Sequence, residues 1–135
     1  ILLQINFMGK ITGLGGIFIK ANDPKSLADW YQQQLGIFFN GSSYVDLPFA
    51  DAEGKLSAGS NVLSFFANDS KYFAPSEKQV MINLRVDDLF GLLEDLKAKG
   101  IALIGEPMDE TYGKFAWIMD PEGNKIELWQ PPEGQ

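Results

Sequence analysis

A chain of 135 residues is long enough for one domain, or for two small modules that share a core. With 45% hydrophobic and 13% aromatic residues it can fill that core, and it does not read as disordered. A net charge of −7 and a pI near 4.4 set it against nucleic acid and membrane surfaces as partners, and favour a cationic or neutral small ligand.

The chain has no cysteine and no histidine. Disulfides, thiolate nucleophiles, zinc–thiolate sites and every histidine-based catalytic arrangement are thereby excluded. Acid–base chemistry has to come from Asp, Glu, Tyr, Lys or a bound cofactor. The opening Ile1-Leu-Leu-Gln-Ile-Asn-Phe7 is too short for a secretory or transmembrane segment and lacks a basic leader. Met8-Gly-Lys10 reads as a natural start, so residues 1–10 are taken as an N-terminal extension, with 1–7 either upstream sequence or non-native. No leader and no cysteine place the protein in the cytoplasm.

In chain order, a strand is predicted over 13–20, followed by a helix from Asp23 to Gly36. Asp23 is its N-cap, Pro24 stands where a missing N–H costs nothing, and Gly36 supplies the left-handed stop. Leu27, Trp30, Tyr31 and Leu35 form the apolar stripe of that helix. Strands are predicted at 37–40, 44–48 and 61–67, with loops over 51–59 and 68–77. A strand at 80–86 leads into a second helix, capped by Asp87 or Asp88, burying Leu89, Leu92, Leu93 and Leu96, and stopping at Gly100. Strands at 102–104, 114–119 and 125–129 complete the chain, the last two joined by the turn Asp120-Pro-Glu-Gly-Asn124.

The second half repeats the first. Asp87 follows Asp23 by 64 positions, and the strands at 16–20 and 81–85 are offset by 65. Residues 11–135 thus read as a single domain of two strand–helix–strand–strand–strand modules, about 11–70 and 78–131. Alternate strand residues face opposite sides. Ile17, Ile19 and Ala21, Ile82, Leu84 and Val86, and Ile126 and Leu128 form aliphatic faces for the helices to cover. The opposite face carries Phe18, Lys20, Met81, Asn83, Arg85, Glu127 and Trp129, a mixture suited to the wall of a cleft. Lys20 and Arg85, the one arginine in the chain, either reach solvent from strand ends or pair with Glu127 or Asp88.

These residues support a resemblance. The paired modules and the run Tyr112-Gly-Lys-Phe-Ala-Trp-Ile-Met-Asp-Pro-Glu-Gly-Asn-Lys-Ile-Glu-Leu-Trp129 resemble the vicinal oxygen chelate superfamily. That group includes glyoxalase I, the extradiol dioxygenases, and the fosfomycin and bleomycin resistance proteins. The resemblance implies an α+β fold: two βαβββ modules forming a curved mixed sheet around a cleft, commonly in a homodimer. It also implies metal ligands near the start of the first strand, and on the last strand, of each module. Those positions fall on Gly16 and Met81, on the strand 61–67, which has no acidic residue, and on Glu127. One carboxylate does not make a divalent-metal site, so no metal and no cofactor is expected.

The reading is therefore of a superfamily member without the usual metal ligands. It would bind or sequester a small aromatic or cationic molecule, as an antibiotic-resistance protein does, in a cleft lined by Phe18, Lys20, Met81, Asn83, Arg85, Tyr112, Glu127 and Trp129. The aromatic content supports this through stacking and cation–π contact, with Tyr72-Phe73 as a lid. One alternative is a lyase or dioxygenase-type enzyme of the same superfamily, using Glu127 with Tyr112 or Lys114. The other is a structural module whose vestigial cleft is filled, with Met81 against Trp129.

Overall fold

The computed structural model describes residues 8–135, so the reading of residues 1–7 lies outside it. Seven strands, β1 (Ile11–Ala21), β2 (Tyr44–Ala50), β3 (Leu56–Ala67), β4 (Val80–Val86), β5 (Met108–Glu110), β6 (Gly113–Met119) and β7 (Lys125–Gln130), form one mixed sheet. Its order is β2-β3-β1-β4-β7-β6-β5. Two helices, α1 (Pro24–Leu35) and α2 (Leu89–Ala98), lie on one face, which makes this the expected α+β architecture.

Both helices start as their sequences dictate. The Asp23 carboxylate accepts from the Ser26 N–H, and the Asp88 carboxylate from the Gly91 N–H, each satisfying a donor the helix leaves open. Gly36 takes the left-handed conformation (φ 72°) that ends α1. Residues 8–10 lie against α2: the Met8 N–H donates to Asp95, and the Lys10 N–H to Asp87.

The internal repeat is visible in the sheet register. Ile17 pairs with Ile82 across antiparallel β1 and β4, Gly16 with Asn83, and Phe18 with Met81. Counterparts at an offset of 65 are therefore cross-paired, and a local two-fold relation passes through the Ile17–Ile82 pair. The outer strands then add in parallel, β3 to β1 and β7 to β4, with Phe18 beside Ser64 and Asn83 beside Glu127.

Three expectations are corrected. Residues 37–40 form no strand: Ile37 and Phe39 turn inward under α1, the Phe39 N–H donates to the Gln32 side chain, and Asn40 and Gly41 take positive φ. Residues 102–104 make one backbone bond to β6, from Ile104 to Trp117, before Gly105 (φ 70°) turns the chain; the strand forms at Met108–Glu110 instead. The 51–59 loop is shorter than expected, because β3 begins at Leu56. Residues 56–61 of β3 pair with β2 alone, so this hairpin separates from β1 as a two-stranded arm.

Three apolar clusters hold the fold. Ala21, Ala28, Phe39 and Phe65 pack under α1, and Val86, Leu89, Leu92, Leu93, Ala116 and Leu128 pack under α2. The third, Phe18, Phe73, Met81 and Trp117, lies on the opposite face. The helices cover the flanks of their face only: Ile17 and Ile82, between them, remain 37% and 36% exposed.

Candidate functional site

The cleft face has two unlike ends, because side-chain parity lines up different residues at each. At one end β7 presents Glu127 opposite Trp117 of β6 and beside Asn83 of β4. Glu127 is 3% exposed, and both carboxylate oxygens are engaged by neutral donors. The Asn83 Nδ2 donates to Oε1 at 2.6 Å, and the Trp117 Nε1 donates to Oε2 at 2.9 Å. The Tyr72 hydroxyl also donates to Oε2. A buried carboxylate is tolerable only with such donors, and hydrogen bonds to an ionised acceptor are the stronger kind. No cation pairs with Glu127 among the described residues; the expected ion pairs with Arg85 or Lys20 do not form.

Tyr72 reaches Glu127 from a single 3-10 turn, Lys71–Phe73, started by the Ser70 side chain. Its ring stacks on Phe66 (centroids 5.5 Å apart, planes at 4°) and meets Trp117 edge-on at 6.1 Å. Phe73 beneath it is fully buried. Burial, then the neighbouring carboxylate, push the Tyr72 phenol well above its ordinary pKa. Lys125, also buried, holds the turn in place, its Nζ donating to the Tyr72 carbonyl at 2.7 Å and the Ala74 carbonyl at 2.9 Å. Desolvation lowers the Lys125 pKa, and the charge of Glu127 opposes that shift. The lid residues are thus seated on the acidic end of the cleft.

The other end is open. Arg85 and Trp129 front a cavity of about 730 Å³, roofed by Asp46 and Pro48 of β2 and Ala58, Gly59 and Ser60 of β3, with Gly134 and Gln135 at its rim. The Arg85 guanidinium lies 5.0 Å from the Trp129 ring centre. Gly15 makes room beneath: a Cβ there would stand 2.0 Å from the Asn83 Oδ1 and 3.1 Å from the Arg85 Cγ. The Asn83 Oδ1 is buried without a partner.

The residues expected to line one cleft thus divide. Asn83 and Glu127 meet at the closed end, and Arg85 and Trp129 meet at the open end. Phe18 and Met81 are buried in the packed cluster and do not line the Arg85 cavity, and Met81 belongs to the cluster that holds Trp117, not Trp129. Lys20 sits over the Phe73 ring at 5.2 Å and faces a separate hollow beside α1, lined by Trp30, Tyr31 and Asn68. Tyr112 is 58% exposed, and its carbonyl accepts from the Trp129 Nε1 at 3.3 Å. Lys114 lies over Phe90 of α2, away from Glu127. Sequence reasoning missed Trp117 as a Glu127 partner, although its strand parity signalled it. It also missed the arm, whose strand begins in a stretch rich in glycine and serine.

The metal site implied by the resemblance does not fit these residues. A Cβ on Gly16 would stand 2.6 Å from the Val62 carbonyl oxygen, so the position admits no ligating side chain without a shift. Met81 is packed in the core, and Ser64 holds the register position that Glu127 holds in the second half. Both oxygens of Glu127 already accept from Asn83, Trp117 and Tyr72. Among the described residues no three His, Cys, Asp or Glu side chains come together.

Comparison with known proteins identifies the family. The sequence matches the Glyoxalase/Bleomycin resistance protein/Dioxygenase superfamily over residues 13–128, and the chain belongs to that family. No curated protein matches it in sequence. Among solved structures, a methylmalonyl-CoA epimerase in complex with methylmalonyl-CoA and NH4+ is 19% identical with a TM-score of 0.66, covering 92% of this chain and 97% of that one. A variant of the Streptomyces coelicolor methylmalonyl-CoA epimerase, in complex with 2-nitronate-propionyl-CoA, is 20% identical (TM-score 0.64, 90% and 99% covered). The Mycobacterium tuberculosis enzyme is 21% identical (TM-score 0.58, 96% and 93% covered). At these identities the likeness concerns the fold alone. Among the described residues no helix is long and apolar enough to cross a membrane.

Proposed function

We propose that this superfamily member binds a planar small molecule without a metal, at the Arg85–Trp129 end of its cleft. One observation carries the reading: a single sheet face closes at Glu127 on the chain's own Tyr72, Asn83 and Trp117, yet opens at Arg85 into a cavity of about 730 Å³. That volume falls in the range of small-molecule sites, which combine apolar walls with a few directed polar groups. An acid–base enzyme using Glu127 would need that carboxylate to reach a substrate, and the Tyr72 hydroxyl stands on it. A homodimer and a cytoplasmic location remain part of the proposal.

The vestigial-cleft alternative draws support from the packed Phe18, Phe73, Met81 and Trp117 cluster, and it predicts that nothing binds. The test has two parts. Metal content is measured after incubation with zinc, nickel, manganese and iron(II), and melting temperature is measured against a panel of planar fragments. No stoichiometric metal with a saturable fragment-induced rise in Tm is the expected result. One retained ion per chain, or a fragment panel without effect, overturns the proposal.

A further inference from the structure

We infer that the open end of the cleft is a receptor for planar carboxylates, with the Arg85 guanidinium as the anchor. The inference rests on the small-molecule reading of the cleft given above and names the class of ligand.

It starts from a ladder of rings. Trp117, Phe115 and Trp129 lie in sequence with near-parallel planes, at 13° and 9° and with centroids 6.5 and 6.2 Å apart. Arg85 stands next to Trp129, so the guanidinium continues the ladder and ends it at the cavity. Stacking of this kind fixes the planar group while leaving its N–H edges available. A guanidinium has five N–H donors. Here one reaches the Ser60 carbonyl at 3.5 Å, the outer limit of a hydrogen bond, and no carboxylate among the described residues lies within 4.0 Å. The one arginine of a chain with net charge −7 is thus held at a cavity without an ion-pair partner among the described residues, with Asp46 lining the same cavity and Asp87 and Glu133 the adjoining hollow.

The rest of the cavity suits a flat ligand with an oxyanion. Gly15 below leaves space for the arginine stem, and Ala58 and Gly59 above present no bulk. Because Arg85 covers the exposed side of Trp129, a cationic ligand meets a cation rather than a bare aromatic face. The acidic charge of the whole chain does not reverse this. Fields of exposed charges fade over about 8–10 Å at ordinary ionic strength, whereas a paired guanidinium–carboxylate contact is short, directional and charge-assisted. Asp46 lines the same cavity and so disfavours a second anionic group, which points to a monocarboxylate.

The test uses three probes of one shape, benzoate, benzamide and benzylamine, titrated into the wild-type protein with Tm and calorimetric readouts. Benzoate should bind about tenfold or more tightly than the other two. Arg85→Gln should cost benzoate about tenfold while leaving benzamide within about twofold, and Arg85→Lys should recover only part because it lacks the fork. Benzamide or benzylamine binding as well as benzoate would overturn the carboxylate assignment and leave the small-molecule reading standing. Binding of none of the three would remove both. The charge series on the wild-type protein decides the matter even if Arg85→Gln fails to fold.

Discussion

The Tyr72 hydroxyl donates to the Glu127 carboxylate across 55 residues of sequence, joining the loop between the two halves of the sheet to β7, the last strand. That contact closes the Glu127 end of the cleft and leaves the Arg85 end open.

Removing the acceptor should be worse than removing one donor. Glu127→Leu strands the Tyr72, Asn83 and Trp117 donors together, at about 1–3 kcal/mol for each buried group left unpaired. Tyr72→Phe keeps the stack on Phe66 and deletes one bond, so a loss of about 1–2 kcal/mol is expected. Urea unfolding of both variants and of the double variant measures the coupling. Additive losses would show that the bond contributes nothing.

The raised Tyr72 pKa gives stability a signed pH dependence. Above the ordinary phenol value of 10.0 the unfolded chain loses this proton while the folded chain keeps it. Stability therefore falls as pH rises through that region. Lys125 acts in the opposite sense below 10.5, since its folded pKa is lowered. Comparing wild type with Tyr72→Phe isolates the tyrosine: the wild type should lose stability more steeply above pH 10.0. Parallel curves would contradict the assignment.

Gly15 is a space requirement. Any side chain there meets the Asn83 Oδ1 and the Arg85 Cγ, so Gly15→Ala should cost about 1–3 kcal/mol and displace both residues from their places in the cleft. Thermal unfolding should show the loss, and the Arg85 side-chain resonances should shift. A neutral substitution would mean that the cleft floor is looser than described.

Lys125 holds the lid by two carbonyls. Lys125→Met preserves most of the stem packing but leaves the Tyr72 and Ala74 carbonyls without their donor. Faster amide exchange confined to residues 70–76, with a modest drop in Tm, is expected. Unchanged protection there would show that the turn is held by its aromatic contacts alone.

Much of the fold was legible because local signals and the repeat agreed. The caps at Asp23 and Asp88 and the stop at Gly36 act as their residue types require. Strand parity correctly put Phe18, Met81, Asn83, Arg85, Glu127 and Trp129 on one face. Residues 37–40 misled because an apolar run reads equally as strand or as loop packed inward, and only tertiary contact under α1 decides between them. The site was harder still. That Glu127 bonds to Tyr72 and Trp117 rather than to a cation depends on where a proline-bounded loop folds back, which periodicity does not encode. That Arg85 stands on Trp129 follows from the register of β4 against β7, in which the two residues pair directly.

The three tryptophans report on three different places: Trp30 on the hollow beside α1, Trp117 on the closed Glu127 end, and Trp129 on the Arg85 cavity. The decisive measurement is a titration of the 15N-labelled wild-type protein with benzoate, followed through the three indole N–H resonances. Saturable movement of the Trp129 resonance, with those of Trp30 and Trp117 still, is the predicted result. Movement confined to Trp117 would mean that the ligand displaces Tyr72 and reaches Glu127, and movement confined to Trp30 would place binding outside the cleft. Either would contradict the account.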